Sequence, residues 1–294
     1  MTSPELLTSE LQRPELPMPH ARGLLGVAAL FKQTWTLYRS RFWTLIGIVF
    51  IALAIVLLLT TGLLALGTAA DNALARRIAL PDDVVFFGFA LLAWILAWLV
   101  QLWSELALIY AVKDAEERIG IREAFERGWI KILPYLWVTI LGGLVALGSF
   151  LFFFVPGLLV SVWLFPALYV LVSENERGFN TLTKSKKYVE GHWWPVLLRL
   201  LALTALWLIL MAPVMLLGAL TDIPEDLLDI VSGIPAILLT PFATAYLYLL
   251  YRNLKDAKGG DVVPTDRDRK ILMWIPLAGF LLAATAIILA VIVL

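Results

Sequence analysis

The sequence predicts an all-α, polytopic transmembrane helix bundle: three repeats of an interfacial amphipathic helix plus a transmembrane hairpin, with an extra C-terminal span. Three observations carry this expectation. The first is composition: 61% hydrophobic residues, 16% charged residues and a mean hydropathy of +0.87 leave more apolar surface than one soluble core can cover, so lipid must cover the rest. The second is self-similarity. Leu30-Phe31 and Thr34-Trp35 superpose without gaps on Ala124-Phe125 and Gly128-Trp129, then on Thr181-Leu182 and Ser185-Lys186, while Trp43 aligns with Trp137 and Trp194; the offsets are 94 and 151. The third is that charges gather between the apolar runs rather than within them.

Taken in order, residues 1–21 carry Pro4, Pro14, Pro17 and Pro19, and no basic stretch leads into an apolar run, so they read as a disordered cytoplasmic tail. The six-span membrane domain is placed at 22–258, with repeats at 23–112, 121–172 and 178–254. Amphipathic helices are expected at 23–42, 121–133 and 178–190, lying in the headgroup plane, and Gly191 is expected to end the third as a left-handed cap. Spans are expected at 43–66, 85–112, 134–155, 158–172, 196–220 and 231–250, then a cytoplasmic linker at 259–270 and a seventh transmembrane helix at 271–294. The fourth, at ~1.5 Å per residue, is only ~22 Å long, so it must recruit residues beside Pro156, thin the bilayer or sit among other helices. Pro156, Gly157, Pro166, Pro235 and Pro241 are expected as helix breaks; in transporters such breaks free carbonyls for a midplane site, although ordinary kinks account for them as well.

With the N-terminus cytoplasmic, every Lys and Arg of the 23 except Arg76 and Arg77 falls on the inner side, which the positive-inside rule prefers. The chain is therefore expected as a multi-pass protein of the bacterial cytoplasmic membrane with its C-terminus outside. Arg39, Arg41, Lys131, Lys184, Lys186 and Lys187 are the candidate contacts to anionic headgroups of the inner leaflet, against the plainer reading of a generally basic inner surface. Trp35, Trp43, Trp129, Trp137, Trp193 and Trp194 read as an interfacial aromatic belt rather than a cofactor box. Glu105 is the one acidic residue placed inside an apolar span, and Arg199 is its expected intramembrane partner, either as a polar pathway or as a structural ion pair. Gly279 and Ala283 offer a small-residue face for close packing, perceived as suited to another subunit.

Catalytic chemistry has little to work with. Cysteine is absent, the two histidines lie away from acidic residues at ligand spacing, and no phosphate loop or nucleophile elbow occurs, so no catalytic residues, cofactors, metal or nucleic-acid partner are expected. The run Pro156-Gly157, Glu174, Gly178, Leu182, Ser185 and Gly191 ahead of Trp193-Trp194, together with the related "TWTLYRSRFW" and "GWIKILPYLW" segments, resembles the glycerophosphoryl diester phosphodiesterase membrane-domain family of bacterial multi-pass proteins. That resemblance implies a six-span module tied to lipid metabolism or envelope maintenance; the catalytic barrel that gives the family its name has no counterpart here, and the seventh span departs from it. The leading expectation is a non-catalytic membrane protein acting through lipid or protein contacts, including a protein partner or homo-oligomer. The rival is a transporter or flippase-like permease moving an amphiphile along a Glu105/Arg199 route, distinguished by a water-accessible cavity at Glu105. A membrane-embedded lipid hydrolase would need an acid/base cluster that the sequence does not offer.

Overall fold

In hydrocarbon a backbone N–H or C=O has no water to bond, so an apolar run of this length closes its hydrogen bonds within itself as a helix. The computed structural model describes residues 23–74, 83–221 and 224–293, and their regular structure is entirely helical. In chain order the helices are α1 (Val27–Ser40), α2 (Phe42–Leu74), α3 (Val84–Lys113), α4 (Ile121–Phe152), α5 (Phe154–Leu164), α6 (Ala167–Glu174), α7 (Phe179–Val189), α8 (Trp193–Leu220), α9 (Glu225–Ala257) and α10 (Asp266–Val293). Seven segments are long and apolar enough to cross a membrane: α2, α3, α4, α5 with α6, α8, α9 and α10. The expected tail at 1–21 and the outer residues Arg76, Arg77, Asp82 and Asp222 lie outside the described residues.

Several expected boundaries move. Pro134 does not separate an amphipathic helix from a span; α4 runs unbroken through it from Ile121 to Phe152. Proline costs one internal hydrogen bond, and the packed neighbours of α4 hold the helix across that loss. Pro235 and Pro241 likewise sit inside the continuous α9. The hairpin turn falls at Phe153, whose backbone is extended, so Pro156 and Gly157 belong to the first turns of α5, where proline's missing N–H has no helical acceptor to lose. Of the five expected breaks, Pro166 alone interrupts a helix, between α5 and α6. The fourth span thereby recruits the Pro156 side and reaches 21 residues, and it is the most enclosed of the seven.

The three aligned segments follow one packing rule. The start of α4 rests on α3, the second span before it: Gly128 lets the backbone approach Leu106 and Ala107, and the Trp103 indole donates to the Phe125 carbonyl at 2.9 Å. Helix α7 rests on α5 and α6, where the Ser185 hydroxyl donates to the Trp163 carbonyl. Helix α1 rests on α9: Leu25 N–H donates to Asn253 Oδ1 at 2.8 Å, Phe31 stacks between Phe242 and Tyr246, and Tyr38 OH donates to the Leu238 carbonyl at 3.1 Å. The first segment thus packs on the last span, and the arrangement closes on itself around α3, α6 and α9. Two of the aligned positions share their burial, Leu30 with Ala124 and Thr181, and Thr34 with Gly128 and Ser185, whereas Trp35 and Trp129 are exposed where Lys186 is buried. Trp43, Trp137 and Trp194 all face outward.

None of the three segments floats free in a headgroup plane. From Leu25 to Tyr38 the chain of α1 tracks α9 antiparallel, from Asn253 back to Leu238, and α7 is enclosed over most of its surface. Helix α10 packs along α4 and against α7. Gly279 faces Gly148 there, so the small-residue face expected for another subunit is used within the chain.

Replacing Gly279 would drive a Cβ into the Gly148 carbonyl. Gly279→Leu is expected to cost about 2 kcal/mol or more and lower the thermal midpoint in detergent, whereas Gly62→Leu, which meets open space, should leave it nearly unchanged. Equal midpoints for the two variants would refute the close α4–α10 contact.

Candidate functional site

The densest polar chemistry lies where α6, α7, α9 and α10 meet. Glu174 ends α6, and Asn175 follows in the left-handed region at φ 58°, turning the chain back toward α7. Gly178 then takes φ 57°, a conformation that side chains resist, and starts α7. This double reversal lays α7 against the Glu174 carboxylate. Oε1 accepts from Tyr188 OH at 2.6 Å, Tyr251 OH at 2.6 Å and Lys255 Nζ at 3.2 Å, and Oε2 accepts from Lys184 Nζ at 2.7 Å. The Glu174 side chain is 3% exposed, so a carboxylate removed from water is compensated by four donors from two helices. Burial opposes the charge on Lys184, but the carboxylates of Glu174 and Glu176 carry its ammonium above the usual lysine range. Burial and then Glu174 raise the Tyr188 phenol, which stays a donor.

Beside this cluster Lys186 forms a buried ion pair with Asp268 at the start of α10, and its ammonium lies 5.1 Å from the Trp163 ring centre. Asp268 Oδ2 also accepts from Thr265 N–H at 2.9 Å and Thr265 OH at 2.7 Å, which caps α10. Lys187 pairs with Glu190 at 2.7 Å, and that ammonium holds the Glu190 carboxyl below its usual range. Gly191 adopts φ 83°, the left-handed cap its position called for. Next to it, burial first and the Lys258 ammonium second hold the His192 imidazole below the ordinary histidine range.

These contacts relocate the headgroup candidates. Lys184, Lys186 and Lys187 were placed on an exposed face; they are instead committed to Glu174, Asp268 and Glu190, because α7 is buried on that side. Arg41 is buried and donates to the Ile119 carbonyl, and Lys131 donates to Asn175. Arg39 is exposed and, among the described residues, has no ion-pair partner. Five of the six belt tryptophans are exposed, while Trp193 is half-buried and donates to the Leu159 carbonyl at 3.4 Å.

The expected Glu105–Arg199 pair does not form. Glu105 faces Tyr135 and Tyr169, with the Tyr135 hydroxyl turned toward its carboxyl yet short of good hydrogen-bond geometry. Arg199 is buried beside α1, where Nε donates to the Leu25 carbonyl at 3.0 Å and Nη1 to the Pro195 carbonyl at 2.5 Å, and Tyr246 OH donates to the Arg199 carbonyl at 3.0 Å. The Leu25 carbonyl precedes α1 and so has no helical N–H to accept from; with the Pro195 carbonyl of α8 it satisfies the guanidinium without a carboxylate. Four clefts on the described surface are lined by neither residue. Sequence reading missed Glu174 as the centre of the site, although it stood in the resemblance motif; its donors Tyr188, Lys184, Tyr251 and Lys255 come from segments that share no local pattern. Among the described residues no group of three or more His, Asp or Glu could hold a metal ion. No family model, curated protein or solved structure matches the chain.

Glu174→Ala would leave two ammonium groups facing an empty, water-poor space. It is expected to cost about 3 kcal/mol, read as a lowered thermal midpoint; a midpoint within error of the parent would remove Glu174 from its central position. The His192 shift predicts a pH effect of defined sign. Its folded-state pKa lies below the unfolded value, so its contribution is present above about pH 6.5 and is lost as the pH falls through the folded-state pKa. Between about pH 7.5 and about pH 5.5 the midpoint should fall, and His192→Gln should lessen that fall. An equal fall in parent and variant would contradict the assignment.

Proposed function

We propose that this chain is a non-catalytic multi-pass protein of the bacterial cytoplasmic membrane, N-terminus inside and C-terminus outside, that works through contacts with lipid at its inner face. The observation that carries the reading is the disposition of charge. Many of the cations are already paired with carboxylates of the chain, buried at Glu174 and Asp268 and nearer the surface at Glu190 and Asp114. What remains for an external partner is apolar and aromatic surface with a few free cations, Lys32 and Arg39 among them. A protein partner would use the same surface, but nothing on it suits a polar partner over lipid.

Kinship with the glycerophosphoryl diester phosphodiesterase membrane domain, and through it a role in lipid or envelope homeostasis, belongs to the same proposal. Its support is that the motif residues carry structural duties: Glu174 accepts four hydrogen bonds, Gly178 and Gly191 adopt left-handed backbones, and Leu182 and Ser185 are buried. An amphiphile permease routed past Glu105 and Arg199 has no comparable support, since the two residues do not pair and Arg199 is committed to backbone carbonyls.

The orientation is directly testable because the chain has no cysteine. Single substitutions Ser40→Cys and Thr221→Cys, both at exposed positions, would be probed with a membrane-impermeant maleimide on intact spheroplasts. Thr221→Cys is expected to label at once and Ser40→Cys only after permeabilisation; the reverse pattern would overturn the assigned sidedness.

A further inference from the structure

The clefts on the described surface differ in one respect that bears on what they hold. The cleft between α2, α3 and the start of α4 carries Arg122 and Glu126 at its rim, but these pair with each other at 2.8 Å. Another, between α3 and α4, is apolar throughout its lining, and a third is a small depression between α8 and α9. The largest of these four, of about 830 Å³, lies between α1 and the α8–α9 hairpin. Phe31, Trp35, Tyr38 and Phe42 form one wall; Leu206, Leu210, Ile234 and Phe242 contribute to the other, and Lys32 stands at its edge. Its volume falls within the roughly 300–1,000 Å³ of small-molecule sites.

Lys32 is exposed and has no acidic partner among the described residues, and the same holds for Arg39. Seven residues apart, the two cations lie two turns along one face of α1, with Trp35 between them and 55% exposed. Lys32 on the rim of an apolar slot, with Arg39 two turns further along the same face, complements an anionic amphiphile: a phosphate for the ammonium and guanidinium, an indole at the glycerol level, hydrocarbon in the slot.

We propose that this groove binds one anionic glycerophospholipid, with its phosphate on Lys32 and Arg39 and an acyl chain between α1 and the α8–α9 hairpin. The assignment rests on the inner-face lipid reading given above and names its ligand and place. Because α1 is fastened to α9 by Leu25, Phe31 and Tyr38, the groove walls are held together before any lipid arrives.

The test uses the full chain purified in mild detergent, incubated with equimolar phosphatidylglycerol and phosphatidylcholine, and the lipid retained per protein read by native mass spectrometry. The parent is expected to retain one phosphatidylglycerol in preference to phosphatidylcholine. Lys32→Gln with Arg39→Gln should reduce that preference about tenfold, and Leu210→Trp, which fills the slot, should reduce retention of either lipid. Circular dichroism and a monodisperse elution profile establish that each variant is folded; if Leu210→Trp is not, Ile234→Phe takes its place. A parent with no preference, or variants that retain lipid like the parent, would overturn the proposal. Loss in the charge variant with full retention in the filled variant would also overturn it, locating the effect on the basic surface and leaving the broader lipid reading intact. A reversed maleimide pattern would instead fail that reading, independently of this assay.

Discussion

A carboxylate withdrawn from water must find its charge balance inside the protein, and Glu174 imposes that requirement on half the chain. Its four donors come from α7 and α9, and Lys184 and Lys255 extend the network to Glu176 and Asp261. Within lipid, burying a leucine gains little, because tails are as apolar as the side chain. Helices then choose neighbours by close backbone approach and by polar groups that have no other partner. Gly148 against Gly279 is the first kind of contact; Glu174 and the Lys186–Asp268 pair are the second. Together they fix where α7 and α10 lie.

The cyclic packing follows from the same economy of partners. Each amphipathic segment turns its small or apolar stripe to a preceding span, and α1 completes the circuit by taking α9. Arg199 secures that closure: its guanidinium donates to the Leu25 carbonyl while the Asn253 amide oxygen accepts the Leu25 N–H, so both backbone groups of Leu25 are held. An arginine in this place acts as a clasp. The aromatic stack of Phe31, Phe242 and Tyr246 then fills the seam. Outside the circuit, α10 packs on α4 and α7, so the seventh span is part of the bundle rather than an appendage.

Much of this was legible in the sequence, and the misses share a cause. The number of spans and their approximate limits follow from apolar length, a local property. The aligned triplets also foretold which faces are buried, because periodicity records the contact stripe even when the partner is unknown. The partner itself is a tertiary fact. Lys184 and Lys186 look like a basic surface when α6 and α10 are absent, and only Glu174 and Asp268 reveal them as internal; Lys187 stays nearer the surface with Glu190. Glu105 and Arg199 were matched by apparent depth alone, and depth does not decide neighbours in a bundle. The prolines misled differently: a missing N–H weakens a helix, yet neighbours on both sides keep α4 and α9 continuous through theirs. Pro166 does interrupt the chain, between two short helices.

The account turns on α7 being an enclosed structural element rather than a float at the lipid surface. Hydrogen–deuterium exchange on the intact protein in nanodiscs measures this directly. Amides of Phe179–Val189 should exchange as slowly as those of the spans they touch, α6 and the C-terminal half of α9. Exchange at the rate of an exposed helix, while α6 and α9 stay protected, would contradict it.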